Sequence, residues 1–358
     1  MPNTKEYFGK SISGNNIFVG IDVHKESWSV CVVDSHGEFI KKFSQGASPQ
    51  QLLKTLEKPL QDGLNVFCTY EAGYFGFEPA RILIEGGCKC TVTAPSLIPV
   101  LVGNRVKTDS KDCRKLATCL AAGMLTPVWI PSRELELHRE LVRHRVQIQK
   151  DRRRLMVRVR ARMSQFGIEA PEGTNWTEKF MVEVEGVTAD NEGLHFIQRS
   201  DLEHLRYLNT KLKLISQKIL SLASLPEFAG PAKRLRTIPG VGPLTVMNVL
   251  LETGDFFRFT KKGRIEAYCG LTPSQHSSGE KVRMGHITKC GRGSLRSTLI
   301  EAAWLLVKND PGFHQLYLKL KAKRGAKRAI VAVARKMVGT MRRLILDDQD
   351  YKPRELIV

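Results

Sequence analysis

Four acidic residues stand where their carboxylates could act together. Asp22 lies inside an apolar run at residues 17–23, and Glu71 directly follows another apolar run. Asp109 and Asp112 sit at positions i and i+3 at the start of a predicted helix, so both can face the same way. Converging carboxylates repel one another unless a cation lies between them, and such oxygen ligands suit Mg²⁺ or Mn²⁺. The four acids therefore predict a metal site of the kind that activates phosphodiester bonds.

Each acid also has a simpler interpretation. Asp22 could be a turn residue at the end of a strand, and Glu71 could be solvated. Asp109 could cap a helix, and Asp112 could be a first-turn acid favoured by the helix dipole. The combination favours the metal site, because Asp22 and Glu71 belong to predicted neighbouring strands and the other two acids follow on a helix.

A serine pair, Ser277 and Ser278, is the second candidate for chemistry. It precedes Gly279 in a Gly-, Ser- and Lys-rich stretch that predicts a loop at residues 271–293. A serine hydroxyl is a weak nucleophile without activation. Nearby cations could hold a phosphate, namely Lys281, Arg283, His286, Lys289 and Arg292. Taken alone, these residues favour an ordinary flexible loop.

The elements around the four acids predict an α/β layer with a mixed sheet. Three strands come first and are followed by alternating helices and strands, an order typical of this class. Residues 1–15 are polar and predict a loose arm. The predicted strands cover residues 17–23, 27–34, 39–44, 64–70 and 88–93, and the predicted helices cover residues 48–60, 76–86 and 110–123.

A long basic helix is predicted next. Residues 134–165 contain neither Gly nor Pro and carry apolar residues at helical spacing. A second helix is predicted at residues 200–223, after an acidic loop at residues 183–194. Two long helices joined by an irregular segment indicate an antiparallel pair that projects from the body. The positive excess of the first helix favours a nucleic-acid contact over a solvated face.

The rest of the chain predicts a mainly helical domain. A turn at residues 239–242 could present backbone N–H groups to a phosphate, or could simply pack two helices. Trp28 and Trp304 lie in apolar patterns typical of a core. Trp129 and Trp176 lie in predicted loops, where stacking on bases is the alternative to packing. The predicted helices cover residues 244–253, 263–270 and 294–308, and a basic helical end follows.

The composition indicates a polyanionic partner. The 358 residues include 56 Lys and Arg against 36 Asp and Glu, a net charge of +20, and such an excess binds phosphates by releasing counterions. No apolar run approaches the roughly 18 residues of a membrane span, so a soluble intracellular protein without membrane contact is predicted. The eight cysteines are scattered, which predicts reduced, mostly buried thiols rather than a zinc site.

Several sequence blocks resemble insertion-sequence transposases with a RuvC-like DEDD domain and a C-terminal serine transposase domain, the bridge-RNA-guided recombinase family. The resemblance covers about residues 16–345 and is specific only when its blocks are taken together. The first three blocks are GIDVHK (20–25), YEAG (70–73) and KTDSKD (107–112). The later blocks are IPGVG (238–242), YCGLTP (268–273), SSG (277–279), GHITKCG (285–291) and LR (295–296).

The resemblance implies a fold and a mechanism. The fold is an α/β RNase H-like (RuvC-like) domain, a long helical coiled-coil arm and a mostly α-helical C-terminal domain. Metal ions, Mg²⁺ or Mn²⁺, are held by Asp22, Glu71, Asp109 and Asp112. Ser278 maps to the nucleophile, with Ser277 beside it as an open ambiguity. The implied partners are donor and target double-stranded DNA, a bridge RNA, and further copies of the chain in a tetramer formed from dimers.

The remaining predictions concern contacts, domains and location. The domains are predicted at residues 1–15 (flexible arm), 16–130 (RuvC-like nuclease), 131–230 (helical arm), 231–346 (serine transposase domain) and 347–358 (tail). The predicted location is the cytoplasm of a prokaryotic cell, at the nucleoid during action. The predicted nucleic-acid contacts are Arg143, Arg152, Arg153, Arg154, Lys281, Arg283, Lys289, Arg292 and Arg296.

Two other functions remain open from the sequence. In the first, the protein is a metal-dependent nuclease of the Holliday-junction type, whose carboxylates activate water while Ser278 is structural. In the second, it is a non-enzymatic nucleic-acid-binding protein whose basic helices do all the work. A covalent protein–DNA adduct distinguishes the recombinase from the nuclease, and loss of function in Asp22→Ala with binding intact excludes the binding protein.

Overall fold

The chain divides into two compact units, residues 1–130 and 131–358. The finer division into an arm, a helical arm, a C-terminal domain and a tail stays a prediction. The computed structural model describes residues 5–12, 14–99, 109–173, 175–278 and 281–353, without the side chains at 5, 11, 109–111, 276–278, 281 and 282.

The first unit is built on a five-stranded mixed sheet with the strand order β5-β4-β3-β6-β7. The neighbours β3, β4 and β5 are antiparallel, whereas β6 and β7 run parallel to β3. The predicted mixed α/β layer is therefore confirmed. The strands are β1 (Lys5–Tyr7), β2 (Lys10–Ile12), β3 (Asn16–Val23), β4 (Ser27–Val33), β5 (Phe39–Gly46), β6 (Asn65–Glu71) and β7 (Lys89–Thr93), and the helices are α1 (Pro49–Gln61), α2 (Glu78–Glu85) and α3 (Asp109–Ala121).

The predicted loose arm is wrong for residues 5–12, where β1 and β2 form an antiparallel pair. Tyr7 and Ile12 are buried in the core of the first unit. The Tyr7 hydroxyl donates to the Asp62 carboxylate at 2.8 Å. Burial, with this hydrogen bond, raises the pKa of Tyr7 to about 12. Two apolar side chains among polar neighbours were enough to attach the segment to the core, because their burial outweighs the ordering cost of a short hairpin.

The two faces of the sheet are covered by different helices. Side chains alternate along β3, so Ile17 and Val19 face the core that contains Leu52 of α1 and Leu83 of α2. The opposite face lies under α3. Gly20 permits this contact, because a Cβ at residue 20 would overlap the Cys113 carbonyl oxygen and the Ala117 backbone nitrogen.

The second unit is mostly helical. Within its described residues it also contains one antiparallel hairpin, β8 with β9. Its elements are α4 (Arg133–Gln165), α5 (Glu178–Gly186), α6 (Glu192–Ser221), α7 (Pro226–Arg236), α8 (Pro243–Thr253), α9 (Lys262–Tyr268), β8 (Pro273–Ser278), β9 (Lys281–Ile287), α10 (Gly293–Asn309), α11 (Pro311–Arg324) and α12 (Ala326–Leu346).

The long helices α4 and α6 form an antiparallel pair. Arg145 donates to Ser216, and Arg162, further along α4, donates to Asp201, earlier on α6. The paired helices predicted from the sequence are confirmed, while coiled-coil supercoiling stays a prediction. The predicted acidic loop at 183–194 is wrong, because α5 extends to Gly186 and α6 begins at Glu192. The acidic residues of this segment form ion pairs or lie in the first turn of a helix, where the helix dipole favours them.

The predicted loop at 271–293 is also wrong in part. Residues 273–278 and 281–287 pair as β8 and β9, and a short turn then leads into α10. Gly, Ser and Lys have low strand propensity, but propensity is a weak guide once a segment packs against neighbours. Trp28 is buried as predicted, whereas Trp304 is 44% exposed. Trp176, a candidate for base stacking, is buried against Phe180 instead.

The C-terminal helices α7–α12 enclose one core, to which Leu251, Leu299 and Val333 contribute. The turn at 239–242 joins α7 to α8, and a Cβ at Gly240 would overlap Leu305 of α10. The packing interpretation of this turn is therefore supported at Gly240. Across the described residues, the structure contains no helix that is both long enough and apolar enough to span a membrane.

The Gly20 contact gives the first prediction. We expect Gly20→Ala to lower the stability of the first unit by about 1–3 kcal/mol, because a methyl group must displace the backbone of α3. Gly186→Ala is the control, since nothing lies within 4 Å of the added Cβ. Differential scanning calorimetry would measure both variants. Equal unfolding temperatures for Gly20→Ala and the wild type would contradict the packing of α3 on β3.

Candidate functional site

Asp22 and Glu71 lie side by side at one edge of the sheet. Strands β3 and β6 are parallel neighbours in which Ile21 pairs with Tyr70. The next residues in this register are Asp22 and Glu71, and residues paired across parallel strands share a face. Phe18 and Phe67 confirm the shared face, because their rings stack at 5.0 Å. Both acids therefore belong to the face covered by α3, at the carboxyl ends of their strands.

Helix α3 begins at the same edge. Cys113 lies against Gly20, whereas Thr118, later in the helix, is near Gly37 in the turn at the opposite end of the sheet. The helix therefore runs antiparallel to β3, and its first turn lies beyond Gly20, toward Asp22. Asp109 is the first residue of α3, and Asp112 lies in the same turn. The backbone thus brings all four predicted acids to one edge.

Asp22 already has a close polar neighbour. The His24 Nε2 atom lies 3.1 Å from the Asp22 Oδ2 atom, and the carboxylate accepts this hydrogen bond when Nε2 carries a proton. The side chain of Asp22 is 21% exposed and that of His24 is 52% exposed. The Asp22 carboxylate is thus partly shielded from water but still reachable at this edge.

The donor set fits a hard divalent cation. Carboxylate oxygens dominate the edge, and Glu71 is exposed there. Across the side chains that the structure describes, no three His, Cys, Asp or Glu groups already form a metal-ligand cluster. Asp109 is outside this test, because its side chain is not described, and Lys107 and Thr108 lie outside the described residues. Convergence of the four carboxylates therefore stays a prediction.

Two features of this edge were missed by the sequence analysis. One is the His24 contact, which the i, i+2 spacing of Asp22 and His24 could have signalled. The other is an aromatic pair just after β6, Tyr74 and Phe75, with ring centroids 4.0 Å apart and Tyr74 74% exposed. The Tyr70 hydroxyl donates to the Gly76 carbonyl at 2.9 Å and holds this loop. An exposed aromatic residue beside an acidic edge is a possible surface for stacking on a base.

Ser278 lies at the end of a hairpin strand. It is the last residue of β8 and pairs with Lys281, the first residue of β9, while Gly279 and Glu280 lie outside the described residues. Three of the predicted phosphate-binding cations are exposed near this hairpin: Arg283, Lys289 and Arg292. Ser278 thus belongs to a hairpin with exposed cations in and just after it, whereas the sequence had predicted an irregular loop.

Arg296 has a structural role as well. Its guanidinium donates to the Cys290 carbonyl at 3.4 Å. A Cβ at Gly270 would overlap that same carbonyl oxygen, and a Cβ at Gly291 would overlap the Tyr268 carbonyl oxygen. The segment after β9 is therefore packed closely against the end of α9.

The basic residues of α4 divide into two groups. Arg139 is buried and donates to the carbonyls of Leu251 and Glu252, and burial lowers the pKa of its guanidinium. Arg143 pairs with the buried Glu252 carboxylate at 3.2 Å, and Arg152 donates to Asn209 at 2.6 Å. These three arginines hold α4 to its neighbours, since buried donors require partners.

Arg153 and Arg154 form the second group, because both are exposed, although Arg154 also pairs at 3.2 Å with Asp151 of the same helix. The structure thus separates the predicted nucleic-acid contacts of α4, with Arg143 and Arg152 committed to protein partners and the exposed pair accessible to solvent.

The cysteines behave as predicted for reduced thiols. All eight are free, and six of them are buried. Burial raises the pKa of Cys90 and of Cys269 to about 12, and a thiol that keeps its proton is a poor metal ligand.

Comparisons with known proteins match two family models to separate parts of the chain. A DEDD transposase family model, described as "Transposase", matches residues 19–168, and a model described as "Transposase IS116/IS110/IS902 family" matches residues 232–318. A putative transposase, y4qE of Sinorhizobium fredii, is 31% identical over 80% of this chain and 71% of its own length.

The chain belongs to the IS116/IS110/IS902 transposase family. This transposase is also 26% identical to the transposase for insertion sequence element IS1111A of Coxiella burnetii, over 93% of this chain and 91% of the relative. It is 25% identical to a pilin gene-inverting protein of Moraxella bovis, over 94% of this chain and 98% of the relative. Membership establishes an enzyme of DNA transposition, and the DEDD domain indicates the use of divalent metal ions.

The acidic edge of the transposase gives the second prediction. We expect Asp22→Asn and Asp109→Asn each to lower DNA strand cleavage in Mg²⁺ at least about a hundredfold, because each removes a negative charge that would hold the metal ion, and that ion would stabilise the reacting phosphate. We also expect Mn²⁺ to raise the unfolding temperature of the wild type but not of Asp22→Asn. Glu57→Gln, an exposed acid on α1, is the control. Wild-type cleavage by both variants would exclude the metal site.

Proposed function

We propose that the transposase cuts and rejoins DNA through a phosphoserine linkage formed by Ser278. The observation that carries the proposal is the position of Ser278 at the end of β8, in a hairpin with exposed cations. The family membership supplies the DNA substrate. The serine assignment itself rests on the resemblance of the SSG block, residues 277–279.

Attack by the serine conserves the energy of the phosphodiester. The Ser278 oxygen forms a bond to phosphorus, one bond from phosphorus to a deoxyribose oxygen breaks, and the serine proton leaves as that oxygen gains one. The reverse step rejoins a strand without any other energy source. In this proposal Arg283, Lys289 and Arg292, all of them exposed, would hold the phosphate during both steps, because guanidinium and ammonium groups bind phosphate oxygens.

The carboxylates complete the proposal. Asp22, Glu71, Asp109 and Asp112 would hold one or two Mg²⁺ ions, which when bound supply Lewis acidity at the phosphate and lower the pKa of an attacking hydroxyl. The His24 hydrogen bond orients the Asp22 carboxylate at the edge. Tyr74, exposed beside Glu71, offers a face on which a DNA base can stack.

The partners beyond DNA are also part of the proposal. The resemblance implies a bridge RNA that selects the sites and a tetramer formed from dimers that cuts several strands together. The exposed cations Arg153 and Arg154 on α4 are available for RNA or DNA backbones.

A metal-dependent nuclease is the second candidate. The observation that favours it is the acidic edge itself, which lies in the DEDD domain. A metal ion bound there would activate water without any serine. In this alternative, DNA is cleaved at the same edge without a covalent protein–DNA intermediate.

The serine supplies the third prediction. We expect Ser278→Ala to bind DNA normally but to form no covalent adduct on a nicked substrate, whereas Ser277→Ala keeps the adduct. Mass spectrometry of the trapped complex would identify the linked residue. An adduct on Ser277 or Tyr268 would reassign the nucleophile, and cleavage without an adduct would establish the nuclease instead.

The surface of α4 supplies the fourth prediction. We expect the double variant Arg153→Gln/Arg154→Gln to weaken nucleic-acid binding and to flatten its salt dependence by about 0.7–0.9 in the log–log slope for each lost phosphate contact. Lys54→Gln/Lys58→Gln removes the same charge from exposed positions on α1 and serves as the control. Identical slopes for the two double variants would show that α4 has only a solvated face.

A further inference from the structure

A basic cavity lies where the β8–β9 hairpin meets α12. Its volume is about 450 Å³, in the range of small-ligand pockets. One wall comes from the hairpin, with Met284 and His286, and the other from the end of α11 and the first turns of α12.

The cations of the cavity are concentrated on one side. Arg324 ends α11, and Lys327 and Arg328 occupy the first turn of α12. Arg335 lies further along α12. Its guanidinium is 3.7 Å from the Glu266 carboxylate, and the Lys262 ammonium is 3.6 Å from the same carboxylate. Among the described residues that line the cavity, none is acidic.

The position of these cations in the first turn of α12 is electrostatically unfavourable. Cations near a helix N-terminus oppose the helix dipole, and the first turn of α12 contains no acid to offset Lys327 and Arg328. A bound anion removes this repulsion. The charge pattern therefore favours a phosphate in the cavity rather than a purely structural role for these side chains.

The remaining lining of the cavity is largely apolar. Leu271, Met284, Ile287 and Val331 line it, and Met284 is 55% exposed. Gly285 adds no side chain, because β8 passes so closely that a Cβ there would overlap the Ser274 hydroxyl. A phosphate alone would not need this apolar surface, but a nucleotide presents both a phosphate and a flat base.

We propose that the cavity holds one unstacked nucleotide of the DNA strand that Ser278 attacks, with its phosphate on Arg324, Lys327 and Arg328 and its base against Met284 and Val331. This proposal rests on the proposed function, since it takes the hairpin as the element that meets DNA. The cavity fixes the strand at a second point, so that the bond to be cut is positioned beside the serine.

The distance along the hairpin allows one DNA strand to contact both the cavity and Ser278. Met284 pairs with Gln275, which lies three residues before Ser278 on β8. At about 3.4 Å per residue, the cavity wall is roughly 10 Å from Ser278 along the strand. This is about three nucleotide steps of a DNA strand. The extruded nucleotide therefore lies a few positions from the cut.

A photocrosslinking experiment tests the proposal with the full chain. The probe is a single-stranded pentathymidylate with 4-thiothymidine at its centre, and mass spectrometry locates the crosslink. We expect it at Met284 or Val331. Arg324→Gln/Arg328→Gln should lower its yield at least about fivefold, whereas the exposed α11 cations in Lys319→Gln/Lys321→Gln are the matched control and should leave it unchanged.

A second measurement separates a base site from a phosphate site. We expect unlabelled pentathymidylate to compete against the crosslink at least about fivefold better than the same strand with an abasic centre, because the apolar lining contacts the base. Equal competition by the abasic strand, or a crosslink only outside the cavity, would overturn the proposal. Crosslinking by Ser278→Ala should equal that of the wild type. Failure of the wild type to form an adduct on Ser278, with crosslinking in the cavity retained, would refute the proposed function and leave the cavity assignment standing.

Discussion

The contact between α3 and β3 at Gly20 is the constraint on which the acidic edge depends. Because Gly20 has no side chain, the helix backbone lies directly on the strand, and the antiparallel direction of α3 sets its first turn beyond the strand end. Asp22 comes two residues after Gly20 on the same face, and the parallel register of β6 adds Glu71. One close approach therefore places residues that are far apart in sequence at one edge.

Much of the first unit could be predicted from the sequence, because its strands are short apolar runs and its helices have clear apolar faces. The shared edge of Asp22 and Glu71 followed from the same pattern. The hairpin that carries Ser278 could not be predicted, because its residues are poor strand formers and pair only through packing and register. The β1–β2 pair was missed for a similar reason, since only Tyr7 and Ile12 attach it to the core.

The net charge of +20 does not predict the role of individual basic residues. It indicated a polyanionic partner correctly for a DNA-acting enzyme, but it did not separate cations that bind protein from cations that face solvent. Periodicity could have helped on α4, because Arg139 and Arg143 are four residues apart and share the face that meets α8. The acid that receives Arg143 is Glu252, distant in sequence, and only the fold reveals it.

The end of α8 joins parts of the second unit that are otherwise separate. Arg139 of α4 donates to the Glu252 carbonyl, and Arg143 pairs with the Glu252 carboxylate. The Tyr268 hydroxyl also donates to the Glu252 carbonyl, at 2.7 Å. The backbone of Tyr268 in turn lies against Gly291, just after the β8–β9 hairpin. A load applied along the helix pair is thus delivered through rigid hydrogen bonds to the base of the hairpin. In mechanical terms, a pull on the helix pair and the position of the β8–β9 hairpin are one linked system.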